Sequence, residues 1–456
     1  MIQVSGQNFV NNINLYKQND TKKLSLNNNI KNSDNNYKDM SYEENKSSKD
    51  IPFRAYYPIN FRSNNIINNK EKLEKLSETI KSEDGKILLN YAHEKGILLN
   101  NDSEDKSTVL DNLYKIATEK RADGLDSEVL IKDLLITLAY PYAITQKFGN
   151  IPNEIREQVI KKASDTDAKT IDVKNSSCCV AASIEFSLAK SKPAEFARMA
   201  EGISSPKMAT QKTIDLNILD NNQDKAKNIL NLFNIPYKME GANKACVTIS
   251  PDKNAILRSN IQTIDRDAFE RSPLDVLMQS TIMNIGSQQT YNTLNDKRKI
   301  TDLSSNDTGL TSLEKTFAES IMTNTKRVSL IFQKLEEIKD KDTVNNRLVG
   351  YNTSNNAIKR ALLNTLGQGD NVIIGCTFLD ENNIIQGGHE ITVTGAKITP
   401  ERKLIFICND TDNNSMYPTE IHEDILIPSI HHLNVPADVA NEDDKLKQIV
   451  DEIKFS

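Results

Sequence analysis

The chain has no tryptophan, and only five cysteines are spread over its 456 residues. An odd, scattered set of thiols does not make a disulfide framework and fits a reducing compartment. No apolar run approaches the roughly 18 residues that a transmembrane helix requires, so no membrane partner is expected. The opening residues MIQVSGQNFVNNINLY lack a basic segment followed by an apolar one. The expected location is therefore the cytoplasm, or the exterior by a route without a classical signal peptide. Charge of one sign is scarce too: 57 basic residues against 63 acidic ones leave −6, and nothing calls for nucleic acid as a partner.

Asparagine, by contrast, is abundant at the start, with 12 in the first 50 positions. Such a stretch buries too little apolar surface to offset its ordering entropy, so residues 1–66 are expected to be mostly disordered. The aromatic island from Ile51 to Phe61 is expected to pack on its own domain. From Glu71 to Ala163 apolar residues recur at helical spacing, most clearly over Ser107 to Lys120 and Ser127 to Tyr140, with a further helix opening at Pro152. Pro141 should end or kink the second of these. Residues 67–164 thus read as a helical accessory region.

The most informative pattern lies between Gly387 and Asp410. The runs Ile391 to Thr394 and Leu404 to Ile407 flank a polar connection holding Gly395 and Pro400, as in two antiparallel strands joined by a loop. His389 opens the first run, and Asn409 and Asp410 close the second, so pairing gathers these polar groups at one end. His389 shares a face with Ile391 and Val393, and Asn409 shares one with Ile405 and Ile407. An imidazole beside a carboxamide or carboxylate gains a fixed tautomer. Alternation puts Asn409 and Asp410 on opposite faces, so only one of them can orient the histidine.

A nucleophile is supplied upstream, in Asn175-Ser-Ser-Cys-Cys-Val-Ala-Ala-Ser183. Asparagine and serine before an Ala-rich apolar run read as a capped helix start. Thiols in such a first turn feel the positive helix end, which favours thiolate. Side chains about 100° apart cannot both face one histidine. Cys179 is preferred over Cys178 because the Ala-Ala-Ser spacing follows it.

Cys179-Val-Ala-Ala-Ser resembles the start of the central helix of papain-like cysteine proteases. Gly388-His389, Val393-Thr-Gly-Ala396 and Lys403-Leu-Ile-x-Ile-x-Asn409 resemble the corresponding region of calpains, and Asn356 to Gly375 resembles the helix and strand before the histidine in bacterial relatives. The resemblance implies an α+β papain-like fold, in which a helix carrying the cysteine packs on an antiparallel sheet carrying the histidine and asparagine. It implies Cys179 as nucleophile, His389 as base and Asn409 as orienting residue, with Cys178 and Asp410 as alternates. The expected activity is hydrolysis of peptide or isopeptide bonds in a protein or peptide substrate, with no cofactor and no metal. The match covers two islands, about a sixth of the chain. Where the family has an oxyanion glutamine, six residues before the cysteine, this chain has Val173, and Asn175 is the nearest amide. The family's tryptophans after the cysteine and asparagine are also missing. Two other readings follow: a transglutaminase-like acyl transferase using Asp410, or a non-catalytic papain-fold binding module.

The catalytic domain is expected over residues 165–440, with a mainly helical insertion over about 285–345 that includes a helix from Leu313 to Ile338. A charged amphipathic helix is expected over residues 441–456. Asp410-x-Asp412-x-Asn414 starts like a calcium loop, but Ser415 and Ile421 occupy the positions that need Gly and Glu. His422, His431 and His432 lack zinc-motif spacing. Cys246, Cys376 and Cys408 sit in apolar strand patterns and read as core.

Overall fold

The computed structural model describes residues 66–102, 104–148, 157, 176–262, 270–298, 309–340, 343–413, 415–442 and 444–451. The expectations for residues 1–65, for the helix at Pro152 and for Asn175 lie outside these.

Helices come first. They are α1 (Ile66–Thr79), α2 (Glu83–Glu94), α3 (Val109–Thr118) and α4 (Ser127–Ala139). The last two fall where the apolar spacing predicts them. A Thr108–Asp111 capping box starts α3, and Asp126 starts α4 by accepting from the Val129 amide. Pro141 does stop α4, and an extended stretch follows from Ile144 to Phe148. Then come α5 (Cys179–Ser191) and α6 (Pro193–Ile203). In α5 every residue from Val180 to Lys190 is buried, the mark of a helix running through a core. Each buried Leu, Ile or Phe contributes roughly 1.5–3 kcal/mol. The packing of Ile184, Phe186 and Leu188 therefore sets where Cys179 sits.

A three-stranded antiparallel sheet follows, formed by β1 (Thr210–Asp215), β2 (Tyr237–Met239) and β3 (Lys244–Ile249) in the order β1-β3-β2. Helix α7 (Gln223–Leu232) joins β1 to β2, and α8 (Ala255–Gln262), α9 (Pro273–Gly286) and α10 (Ser312–Thr323) complete the helical half. Cys246 lies on the half-exposed face of β3, so it is not a core residue as its apolar run suggested.

The second half is built on a seven-stranded antiparallel sheet. Its strands are β4 (Arg327–Ile331), β7 (Val372–Leu379), β8 (Ile385–Ile398), β9 (Leu404–Asn409), β10 (Thr419–His422), β11 (Ile430–Pro436) and β12 (Val450–Asp451), in the order β10-β9-β8-β7-β11-β4-β12. A separate two-stranded arm, β5 (Gln333–Asp340) with β6 (Thr343–Tyr351), leaves the sheet after β4. Helices α11 (Asn355–Gly367), α12 (Glu423–Ser429), α13 (Ala437–Asn441) and α14 (Asp444–Lys447) complete this half. On β7, Ile373 belongs to the helical core, while Val372 and Ile374 belong to the core under α11. The sheet thus presents one face to each core.

The architecture is mixed α+β with antiparallel sheets, 46% helix and 24% strand over the described residues. Two expected helices are corrected. The helix expected over Leu313 to Ile338 stops at Thr323, because Asn324 takes the left-handed conformation (φ 51°) that terminates helices. The alternating sequence after it forms β4 and β5, so the described part of the 285–345 segment is only partly helical and supplies a strand of the main sheet. Of the helix expected over 441–456, the described residues form only α14, and Val450–Asp451 pairs with β4.

Candidate active site

The hairpin expected between Gly387 and Asp410 is the β8–β9 pair. β8 begins earlier than the pattern suggested, at Ile385, so His389 lies within the strand opposite Cys376. Its neighbours Gly387 and Gly388 are not sterically demanded, since an added Cβ would meet nothing closer than 4.0 Å and 3.5 Å respectively. The demanding glycine of this strand pair is Gly375 on β7, where a Cβ would clash with the His432 ring.

His389 bonds Asp410, Nε2 to Oδ1 at 2.7 Å, and Cys179 lies near enough to its ring to favour the protonated imidazole. With Nε2 engaged, Nδ1 is the nitrogen left for the thiol. Both partners of the ion pair are largely buried, the His389 and Asp410 side chains being 15% and 30% exposed. Burial pulls the imidazole down, but the bond to Asp410 and the Cys179 thiol outweigh it and hold His389 up at about 10. Burial raises the Asp410 carboxyl, and His389 more than reverses that, leaving it below its usual range.

Asn409 is not brought to the histidine. Counting back from the loop, Ile398 pairs with Leu404 and Gly395 with Ile407, a register that would set Asn409 opposite Val393, on the face of His389. A bulge at Thr394 shifts the ladder by one, and Asn409 lies opposite Thr392 instead. That turns Asn409 to the other face, where it is 3% exposed and its Nδ2 has no partner among the described residues. Asp410 takes the vacated side. The bulge is pinned by Thr394 Oγ1, which donates to the Ile407 carbonyl at 3.1 Å and lies 3.3 Å from the Tyr142 hydroxyl.

The two adjacent thiols differ sharply. Cys179 is half-buried at the first position of α5. Cys178 is fully buried, its thiol donating to Asp296 Oδ1 at 3.1 Å and lying 3.2 Å from the Tyr291 hydroxyl. Burial, and then the Asp296 charge, push the Cys178 thiol far up, so it stays protonated. Cys178 also caps no first-turn amide of α5, which leaves those N–H groups directed out of the helix end.

Several contributors gave no signal in the sequence. Asp296 fixes the segment entering α5, accepting from the Ser177 amide at 2.8 Å and, through its own carbonyl, from Ser177 Oγ at 2.7 Å. Arg271 donates to Ser176 Oγ and, through Nε at 2.8 Å, to the Gln146 carbonyl. Gln146 donates its amide to the Thr411 carbonyl at 3.0 Å, and its Oε1 accepts from Thr411 Oγ1 at 3.2 Å. Its carboxamide is thereby held at the Asp410–Thr411 turn. A side-chain amide 33 positions before the cysteine has no spacing rule that would reveal it. The Thr394 bulge had a half-visible signal, the glycine that follows it inside a strand.

Asp410 Oδ1 also accepts from the Asp412 amide at 2.9 Å, an ordinary turn contact. Among the described residues no three His, Cys, Asp or Glu side chains gather as metal donors, and no helix is long and apolar enough to cross a membrane. No protein-family model, no characterised protein and no solved structure matches this chain.

Proposed function

We propose that the protein is a papain-like cysteine hydrolase that cleaves peptide or isopeptide bonds through Cys179, His389 and Asp410. The observation that carries this reading is His389 bound to a partly buried carboxylate, with the thiol at a helix start close to its ring. The Cys179 sulfur adds to the scissile carbonyl, and the protonated imidazole then gives its proton to the departing amine. Water next attacks the thioester, with His389 taking its proton. Asp410 keeps the ring oriented and offsets the imidazolium charge. The oxyanion would meet the first-turn amides of α5, with the Gln146 side chain, held at the turn that follows Asp410, as a candidate donor in place of the Asn175 first expected. A buried central helix with the nucleophile at its start, packed on an antiparallel sheet bearing the histidine, supports the papain-like reading of the fold.

The test is acylation by p-nitrophenyl acetate. A burst of nitrophenolate should accompany acetylation of Cys179, located by mass spectrometry, and should vanish in Cys179→Ala but persist in Cys178→Ser. Acetyl on another residue, or a burst that survives Cys179→Ala, removes the proposal.

A second reading is favoured by Asp410 itself: a transglutaminase-like acyl transfer to an amine. Adding a primary amine such as putrescine separates the two. A transferase partitions the acyl group to the amide product, whereas a hydrolase releases mainly the acid.

A further inference from the structure

The polar groups of the extended connector at residues 144–148 divide between the two halves of the molecule. Three successive carbonyls go to the helical half. Thr145 O accepts from Gln279 Nε2 at 2.9 Å, Gln146 O from Arg271 Nε at 2.8 Å, and Lys147 O from the Arg271 amide at 2.7 Å. The remaining groups reach the turn after β9. Thr145 Oγ1 and the Gln146 amide both donate to the Thr411 carbonyl at 3.0 Å, and Thr411 Oγ1 donates to Gln146 Oε1 at 3.2 Å. Thr145, Gln146, Arg271, Gln279 and Thr411 are all buried, so water does not compete for these bonds.

The residues that hold the connector also hold the nucleophile helix. Gln279, on α9, uses the same carboxamide nitrogen to bond Glu185 Oε2 on α5 at 2.8 Å. Arg271 donates to Ser176 Oγ, which in turn accepts from the Cys178 amide at 3.1 Å. On the other side, Thr411 directly follows Asp410, whose Oδ1 carries the bond to His389. A continuous hydrogen-bonded path thus runs from α5, through Gln279 or Arg271 and the connector, to the turn that carries the orienting carboxylate. We propose that this connector sets the alignment of Cys179 with the His389–Asp410 pair, and that Thr145 is its positioning residue. Thr145 is singled out because its hydroxyl serves twice. It donates to the Thr411 carbonyl and accepts from the Lys147 amide at 3.1 Å, which fixes the connector's own shape as it grips the turn.

Thr145→Val keeps the shape of the side chain and removes the hydroxyl. The Thr411 carbonyl retains the Gln146 amide, so the turn stays attached, but the Lys147 amide loses its acceptor and the turn gains freedom. A displacement on the order of 1 Å between reacting groups can cost about a hundredfold in rate without weakening substrate binding. The loss should therefore fall on the acylation step. A loosened Asp410 also supports the imidazolium less, so the His389 ring should titrate lower. A residue that merely adds stability would produce neither effect in the folded protein. The effect on rate rests on the catalytic reading of Cys179; the effect on the His389 ring does not.

The test is stopped-flow acylation of the full-length protein by p-nitrophenyl acetate, with histidine NMR of the same samples. Thr145→Val should lower the limiting acylation rate about tenfold or more, while the half-saturating ester concentration stays within about twofold. It should also bring the His389 titration down by about one unit, a tenfold change in the acidity of the imidazolium. Thr145→Ser, which restores the hydroxyl, should recover both. Thr145→Ala serves the same comparison if Thr145→Val does not fold. An unchanged rate and titration in a folded variant without the hydroxyl overturns the proposal. A loss that Thr145→Ser fails to recover overturns it too, because the methyl group's packing would then be what matters. If the wild-type protein gives no burst, the catalytic reading fails, and the NMR comparison alone decides whether the connector holds the His389–Asp410 pair: a lowered titration sustains that, and an unmoved one removes it.

Discussion

At the scale of single residues, the choice between Asn409 and Asp410 decides how the histidine is held. Asp410 is the one in contact, so Asp410→Ala should lower the acylation rate by about a hundredfold or more, the range of a lost general-base alignment. Asn409→Ala should leave chemistry nearly intact and act on stability alone, since its side chain is buried on the opposite face. The reverse ranking would restore the orienting role to Asn409. The ring itself makes a second prediction. His389 titrates at about 10 in the folded chain against about 6.5 when unfolded. Its contribution to stability is therefore fully present below pH 6.5 and is lost as the pH rises through about 10. Histidine NMR should follow His389 as imidazolium through neutral pH, and its titration should move down in Cys179→Ala, which removes the thiol partner. A ring that titrates near 6.5 in both proteins contradicts the ion-pair picture. What was legible here was the residue types: Cys179, His389 and the Asn409–Asp410 pair were visible as a set, but the member that serves was not. Alternation gives faces within a strand; it does not give the register between strands.

At the scale of elements, that register is fixed by Thr394. The strand pair could be read from its alternating runs, and α3 and α4 from their periodic apolar faces and caps. The bulge could not be read with them, because it is held by the Ile407 carbonyl and by Tyr142, which is 252 positions away. Thr394→Val keeps the shape but removes the hydroxyl. It should cost about 1–2 kcal/mol in urea unfolding, near the range for a hydrogen bond whose buried partner is left unmade. It should also slow acylation of Cys179, because the ladder that puts Asp410 on the His389 face is no longer pinned. Thr394→Ser, which retains the hydroxyl, should recover most of both. Full activity in Thr394→Val would mean that the backbone alone maintains the bulge. The misread helix from Leu313 to Ile338 has a similar physical cause: apolar spacing over a short β-branched run suits either period, and the left-handed Asn324 that breaks it is invisible in a pattern of apolar residues.

At the scale of the whole molecule, the two cores meet across a charge cluster next to the candidate site. Lys315 on α10 is fully buried and bonds Glu390 Oε2 at 2.8 Å and His432 Nε2 at 2.5 Å; Glu390 Oε1 lies 3.0 Å from His432 Nε2. Glu390 directly follows His389 in β8, so the cluster ties the strand that carries the base to the helical half that carries the nucleophile. No local pattern announces it, since its members are 75 and 117 positions apart. Burial raises the Glu390 carboxyl, but Lys315 and His432 overcome this and hold it at about 2. Its share of stability is therefore present above the ordinary carboxylate range and is lost only as the pH falls through about 2. Removing one partner should be far worse than removing two, because an unpaired buried charge keeps its desolvation cost. Lys315→Met should destabilise the fold by about 3–5 kcal/mol, and adding Glu390→Gln should recover a substantial part of that loss. The single variant should also slow Cys179 acylation under conditions where the protein is still folded, because the halves carrying Cys179 and His389 lose their tie. Additive losses in the double variant would show that Lys315 and Glu390 act independently, and unaltered acylation in a folded Lys315→Met protein would show that packing between the two cores suffices to align the site.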